Sequence, residues 1–237
     1  MNNIKTALVL GFISLSLNAQ KIIEKNIDYK NRTIDLDVKF ASKIEVKTWD
    51  KATVYFKADI NTMDGKFLDF YKLDVTEDAN TISIRSEAEP IFKQFQKEWN
   101  DTHPDKNKRY YNTGDWYEFN YVLYVPKNAK FKVSSINGSL KSEHIDGKFT
   151  ADLINGDIEI ASYTGELDLT TINGAIDLVM RNTSVTAETI NGEIYADAKL
   201  KFTAADRHVG QKISGSTENA TNRLRLNTIN GNMYLRL

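Results

Sequence analysis

The 237-residue sequence predicts an all-β protein: a parallel β-solenoid of about 18-residue coils, with an N-terminal β-strand region and an aromatic-rich insert. Three observations predict it. From Val133 the chain repeats every nine residues for seven units, beginning VSSINGSLK, SEHIDGKFT, ADLINGDIE. Ile-Asn-Gly recurs at every second unit, at Asn137, Asn155, Asn173 and Asn191. Upstream, short segments alternate apolar and polar residues with the period of a strand.

Taken in order, residues 1–19 read as a signal peptide. A lysine precedes the apolar run TALVLGFISLSL, and Ala19 offers a small residue for cleavage. That run is too short to span a bilayer comfortably, and no second one follows, so the mature chain is expected to be exported without a transmembrane segment, to the periplasm or the cell surface. The absence of cysteine excludes disulfides, thiolate chemistry and a lipidated N-terminal cysteine. A formal net charge of −1 gives no reason to expect a nucleic-acid partner.

Residues 20–89 form an N-terminal β region, expected either to cap the coils or to supply the first of them. TIDLDVKF, KIEVKTW, TVYFKADI, YKLDV and TISIRS all alternate, with turns at Asp64-Gly65 and Asp78-Ala79-Asn80. Residues 90–121 are the aromatic and charged insert. Pro90 followed by Phe92, Phe95 and Trp99 predicts a short amphipathic helix. Trp99, Tyr110, Tyr111, Trp116 and Tyr117 are the candidate binding residues, because aromatic rings on a polar loop stack on sugar faces or anchor a protein partner. The competing reading makes them a satellite core.

Residues 122–237 carry the repeats. The first, fourth and eighth places of each unit are mostly apolar, as in Ala151, Ile154 and Ile158, so all three are expected to face inward around a corner. At a strand spacing of about 4.8 Å the four asparagines would form a structural ladder of side-chain amides, each beside a glycine that permits positive φ. After Tyr195 the frame slips. Ile229-Asn230-Gly231 recovers it 39 residues beyond Ile190, leaving an irregular excursion near 198–225. The last strand is expected to leave an open edge guarded by Arg223, Arg225 and Arg236.

The series WDKATVYFKA, FNYVLYVPKNAKFKVSSINGSL and the glycine-punctuated repeats resembles the bacterial family of β-strand-repeat proteins named "putative adhesin", a domain of unknown function. The resemblance runs from about Ile34 to the end, with Val125-Pro126 and the Asn-Gly series as its most specific elements. It implies a solenoid on an exported or envelope-associated protein and supplies no catalytic residues. Arg181-Asn182-Thr183 departs from it, because that corner has no glycine.

No catalytic residue, metal ligand or cofactor is expected. The units have one glycine each and no regular aspartate, unlike calcium-binding nonapeptides. His103, His144 and His208 show no triad or ligand spacing, and Asp101, His103, Asp105 and Asn107 lack the fixed spacing of a cation site. Between Ala151 and Asp197 there are nine acidic residues and one basic, Arg181. This stripe suits either a solvated face or a surface for cations or a basic partner. The expected function is a non-enzymatic interaction module binding an envelope polysaccharide or protein. Two alternatives stand beside it: a carbohydrate-active enzyme using a pair of outward carboxylates, and a sensor or assembly protein pairing through the terminal edge at Ile229–Leu237.

Overall fold

The computed structural model describes residues 20–103, 116–197, 199–200, 202–205 and 208–237. The signal-peptide reading, residues 1–19, lies outside them. The N-terminal region contributes β1 (Gln20–Asp28), β2 (Thr33–Asp37), β3 (Phe40–Trp49), β4 (Thr53–Thr62), β5 (Lys72–Glu77) and β6 (Thr81–Glu87). Helix α1 (Glu89–Thr102) follows, with Pro90 in its first turn as predicted. Next come β7 (Tyr117–Pro126), β8 (Ala129–Ser142), β9 (Ile145–Asn155), β10 (Ile158–Ile160), β11 (Tyr163–Asn173), β12 (Ile176–Val179), β13 (Thr183–Thr189) and β14 (Ile194–Ala196). The chain ends with β15 (Phe202–Ala204), β16 (Gln211–Ser216), β17 (Asn222–Thr228) and β18 (Met233–Arg236).

Alternation produces these strands. In β4, Val54, Phe56, Ala58 and Ile60 are fully buried while the residues between them are half-exposed. Such inward rows merge into one apolar core running from Ile27 to Leu235.

The parallel β-solenoid expected from the repeats is not the fold. Among the described residues the strands form a mixed, partly antiparallel sheet of 18 strands. β1 pairs antiparallel with β4, β4 with β7, β5 with β6, β13 with β16, and β15 with β16. Parallel pairs lie beside these: β8 with β9, β9 with β11, and β10 with both β8 and β12. Asn173 stands opposite Asn155, and Asn155 opposite Asn137. A nine-residue apolar period marks where strands and corners recur, but long-range strand direction is set by connections such as β4 to β7, which carry no repeat.

The inward set also differs from the expected one. Ile154, Ile190 and Ile229 are exposed, and the preceding residues Leu153, Thr189 and Thr228 point inward instead. The intervening units behave otherwise, since Ile145 and Tyr163 at the same place are buried. The two half-repeats are therefore not equivalent.

The C-terminal strands do not form the open edge. β17 lies between β11 and β13, parallel to both, and β18 lies between β12 and β14. The chain places β13 and β14 one strand-width away, runs the excursion back along the outer side of β13 as β16, and fills the gap last. Leu224 then packs in register between Leu167 and Val185, and Leu226 between Leu169 and Ala187. A partner pairing through Ile229–Leu237 as an open edge is thereby removed.

Candidate functional site

Each residue of Thr-Ile-Asn-Gly has a distinct place. The buried threonines turn their hydroxyls onto glycine carbonyls of the adjacent strand: Thr171 Oγ1 donates to Gly156 O at 2.9 Å, and Thr228 Oγ1 to Gly174 O at 3.1 Å. The asparagines bond to one another. Asn155 Nδ2 donates to Asn137 Oδ1 at 3.0 Å, Asn173 to Asn155 at 2.8 Å, Asn230 to Asn173 at 2.7 Å, and Asn191 to Asn230 at 2.9 Å. Asn230 thus stands between Asn173 and Asn191, a position set by the insertion of β17. Of the ladder glycines only Gly138 has positive φ, at 110°. The others are needed for space: a Cβ on Gly174 would lie 2.1 Å from Gly156 O. In the corner without glycine, Asn182 itself takes the left-handed conformation, at φ 46°.

The acidic stripe is engaged across the sheet. Asp152 pairs with Lys132 at 2.5 Å, Glu159 with Lys141 at 2.8 Å, Glu166 with Lys148 at 2.9 Å, and Asp177 with Arg236 at 2.6 Å. Asp168 meets Arg225 at 3.9 Å and Glu188 meets Lys212 at 3.4 Å. Asp157 accepts the Ala175 N–H. A hydrogen bond from Lys148, with its charge, holds the Glu166 carboxyl below its ordinary range. Arg223, Arg225 and Arg236, expected to guard an edge, lie on inserted strands facing carboxylates.

The described part of the aromatic insert is largely packing. Trp116 is 8% exposed, its ring 3.7 Å from that of Phe95 and 5.2 Å from that of Phe92. Tyr117 is half-buried, 4.8 Å from Phe119. Burial raises the Tyr117 hydroxyl, against a lowering hydrogen bond with the Asn137 side chain, so the cluster abuts the first rung of the ladder. Trp99 is exposed and stacks on His103 at 3.9 Å. Tyr110 and Tyr111, like Asp105 and Asn107, lie outside the described residues. Among the described residues no group of three or more His, Asp or Glu could hold a metal ion.

The sequence reading missed a second aromatic pair. Tyr195 on β14 and Tyr234 on β18 stand directly opposite in parallel register and stack at 5.3 Å, 8° from parallel. Both rings are exposed. The Tyr195 hydroxyl donates to Glu193, and Asn232 Nδ2 reaches the Tyr234 hydroxyl at 3.4 Å. An open groove of about 420 Å³ beside them is lined by Asp177, Ala196, Asp197, Leu235 and Arg236. The only signal in sequence was Tyr195 and Tyr234 each following an Ile-Asn-Gly by the same interval, in NGEIY and NGNMY.

The architecture is similar to the crystal structure of a "putative cell adhesion protein" from Clostridium sporogenes, with a TM-score of 0.57 at 9% identity, covering 92% of this chain and 99% of that one. At that identity the likeness speaks to the fold alone. A "putative adhesin" from Bacteroides fragilis aligns over 91% of this chain and 97% of its own at 11% identity, but its TM-score of 0.29 bears no argument. No protein-family model and no curated protein matches the sequence.

Proposed function

We propose that the chain is an exported, non-enzymatic interaction module of adhesin type that presents a rigid sheet surface to an envelope polysaccharide or protein. The observation that carries this reading is the fold shared over nearly the full length of both chains with the Clostridium sporogenes protein named for cell adhesion. The outward carboxylates support it. A glycoside hydrolase needs one carboxyl kept protonated and another free to attack or activate water. Here the carboxylates Asp152, Glu159, Glu166 and Asp177 are held by lysine or arginine within 3 Å. Export is supported by the charge and apolar pattern of residues 1–19. No helix among the described residues is long and apolar enough to cross a membrane. In this reading the insert contributes Trp99 as a contact, with Trp116 and Tyr117 holding the helix that carries it.

The test is a binding screen of the chain lacking residues 1–19 against envelope polysaccharides and proteins, with an assay for released sugars on the same panel. Binding without sugar release is expected. Released reducing ends would replace the reading with an enzymatic one, and a panel with no binder would overturn it.

A further inference from the structure

We propose that the Tyr195–Tyr234 face is a binding site for a neutral pyranose unit of a polysaccharide; this deepens the interaction-module reading and rests on it. Two exposed aromatic rings stacked within 8° of parallel form an adjoining apolar surface beside a groove, the kind of patch that marks an interaction site. Their centroid separation of 5.3 Å corresponds to an offset stack, which leaves part of each ring face uncovered. The rings are also held in place. Their Cα positions are fixed by parallel register, and their hydroxyls by Glu193 and Asn232. That removes part of the ordering cost of binding.

The surroundings supply what a sugar ring requires. A pyranose has an apolar C–H face, which packs on an aromatic ring, and a rim of hydroxyls that donate and accept. Asp177, Asp197 and Arg236 line the groove beside the rings and offer both functions. Asp177 Oδ1 is buried in an ion pair with Arg236 Nη2 at 2.6 Å, so hydrogen bonds to a sugar fall to Asp197 and to the parts of the two paired side chains that stay exposed. Ala196 between Tyr195 and Asp197 adds little bulk.

Charge selects the class of sugar. Glu193, Asp177 and Asp197 outnumber Arg236 by three to one around the pair. A uronate or sulfated sugar meets net repulsion, whereas a neutral hexose does not. Tyr195 sits on β14, which among the described residues pairs with β18 alone, so a long chain can pass the pair at this side of the sheet.

The test measures binding of neutral gluco-, manno- and galacto-oligosaccharides, with polygalacturonate as the acidic comparison, by calorimetry on the chain lacking residues 1–19. Neutral oligosaccharides are expected to bind. Tyr195→Ala and Tyr234→Ala are expected to weaken binding about tenfold or more, since each removes a stacking surface, while Tyr195→Phe, which keeps the ring and loses only its bond to Glu193, weakens it less. Binding unchanged in both tyrosine-to-alanine variants overturns the site, as does preference for the acidic polymer. Failure of every neutral sugar, with a protein partner found in the wider screen, overturns this inference and leaves the interaction-module reading standing. No binder of any kind overturns both.

Discussion

At the residue scale, the repeated tetrapeptide divides its work among four chemistries. The threonine hydroxyl satisfies a glycine carbonyl, the isoleucine faces outward, the asparagine amide bonds along the axis, and the glycine allows two backbones to approach closely. Steric and polar contributions separate cleanly at residues 173 and 174. An added Cβ at Gly174 would stand 2.1 Å from Gly156 O and 2.6 Å from its carbonyl carbon, so the strands must part. Gly174→Ala is expected to destabilise the fold by about 2 to 3 kcal/mol, read as a lowered urea midpoint. Asn173→Ala removes two exposed ladder bonds, to Asn155 and from Asn230, and is expected to cost only about 1 kcal/mol. Equal losses in the two variants would mean that the amide ladder, not close approach, holds this corner.

At the element scale, the decisive event is the insertion of β17 and β18. Docking β13 directly on β11 would leave Glu166 and Asp168 beside Ser184 and Thr186. The inserted strand instead places Arg223 and Arg225 opposite those acids and threads Leu224 and Leu226 through the core. Leu224 is 1% exposed, so Leu224→Ala is expected to cost about 2 to 4 kcal/mol in chemical denaturation. Arg225→Glu is expected to cost less than about 1 kcal/mol, because both partners are substantially exposed, and Asp168→Arg in the same chain should restore part of it. The N-terminal strands were legible, since β2, β4 and β6 each alternate cleanly. The short helix was legible from Pro90 and its apolar spacing. The insertion was not: the 39-residue interval from Ile190 to Ile229 marks an excursion, but one nonad resembles another too closely to say which gap the last one fills. For the same reason Asn230 was left out of the ladder and the Tyr195–Tyr234 pair went unseen. Trp116 stood open between a loop contact and a satellite core, because its burial by Phe92 and Phe95 depends on how α1 lies over β7. The outward turn of Ile154 was missed because an apolar residue was taken to face the core, whereas the buried place at that corner belongs to Leu153 and, in sister repeats, to threonine.

At the scale of the whole molecule, ionisation bounds the range over which the sheet holds. Glu166 is held below its ordinary 4.5 by Lys148, and Asp78 below 3.8 by backbone N–H groups of Asn80 and Thr81. Folded values lower than unfolded ones give stability that is complete above those ordinary values and lost as pH falls through the folded ones. The alkaline limit has the opposite sign. Burial raises the Tyr71 hydroxyl, pushes Tyr121 up to about 12, and does the same to Tyr163. The unfolded chain releases these protons from about pH 10, the folded chain only later. Their contribution is therefore intact below pH 10 and declines as pH climbs toward 12. Tyr163 isolates the effect, because its hydroxyl lies 2.6 Å from Thr183 Oγ1 beside the corner where β13 begins. Tyr163→Phe loses that bond and should lower stability at neutral pH by about 1 kcal/mol. It also removes one ionisation, so the fall between pH 10 and 12 should become shallower than in the parent chain. Melting temperatures of the two proteins measured from pH 7 to 12 decide the matter: converging curves support burial of the phenol as the source of the alkaline limit, and parallel curves place that limit elsewhere.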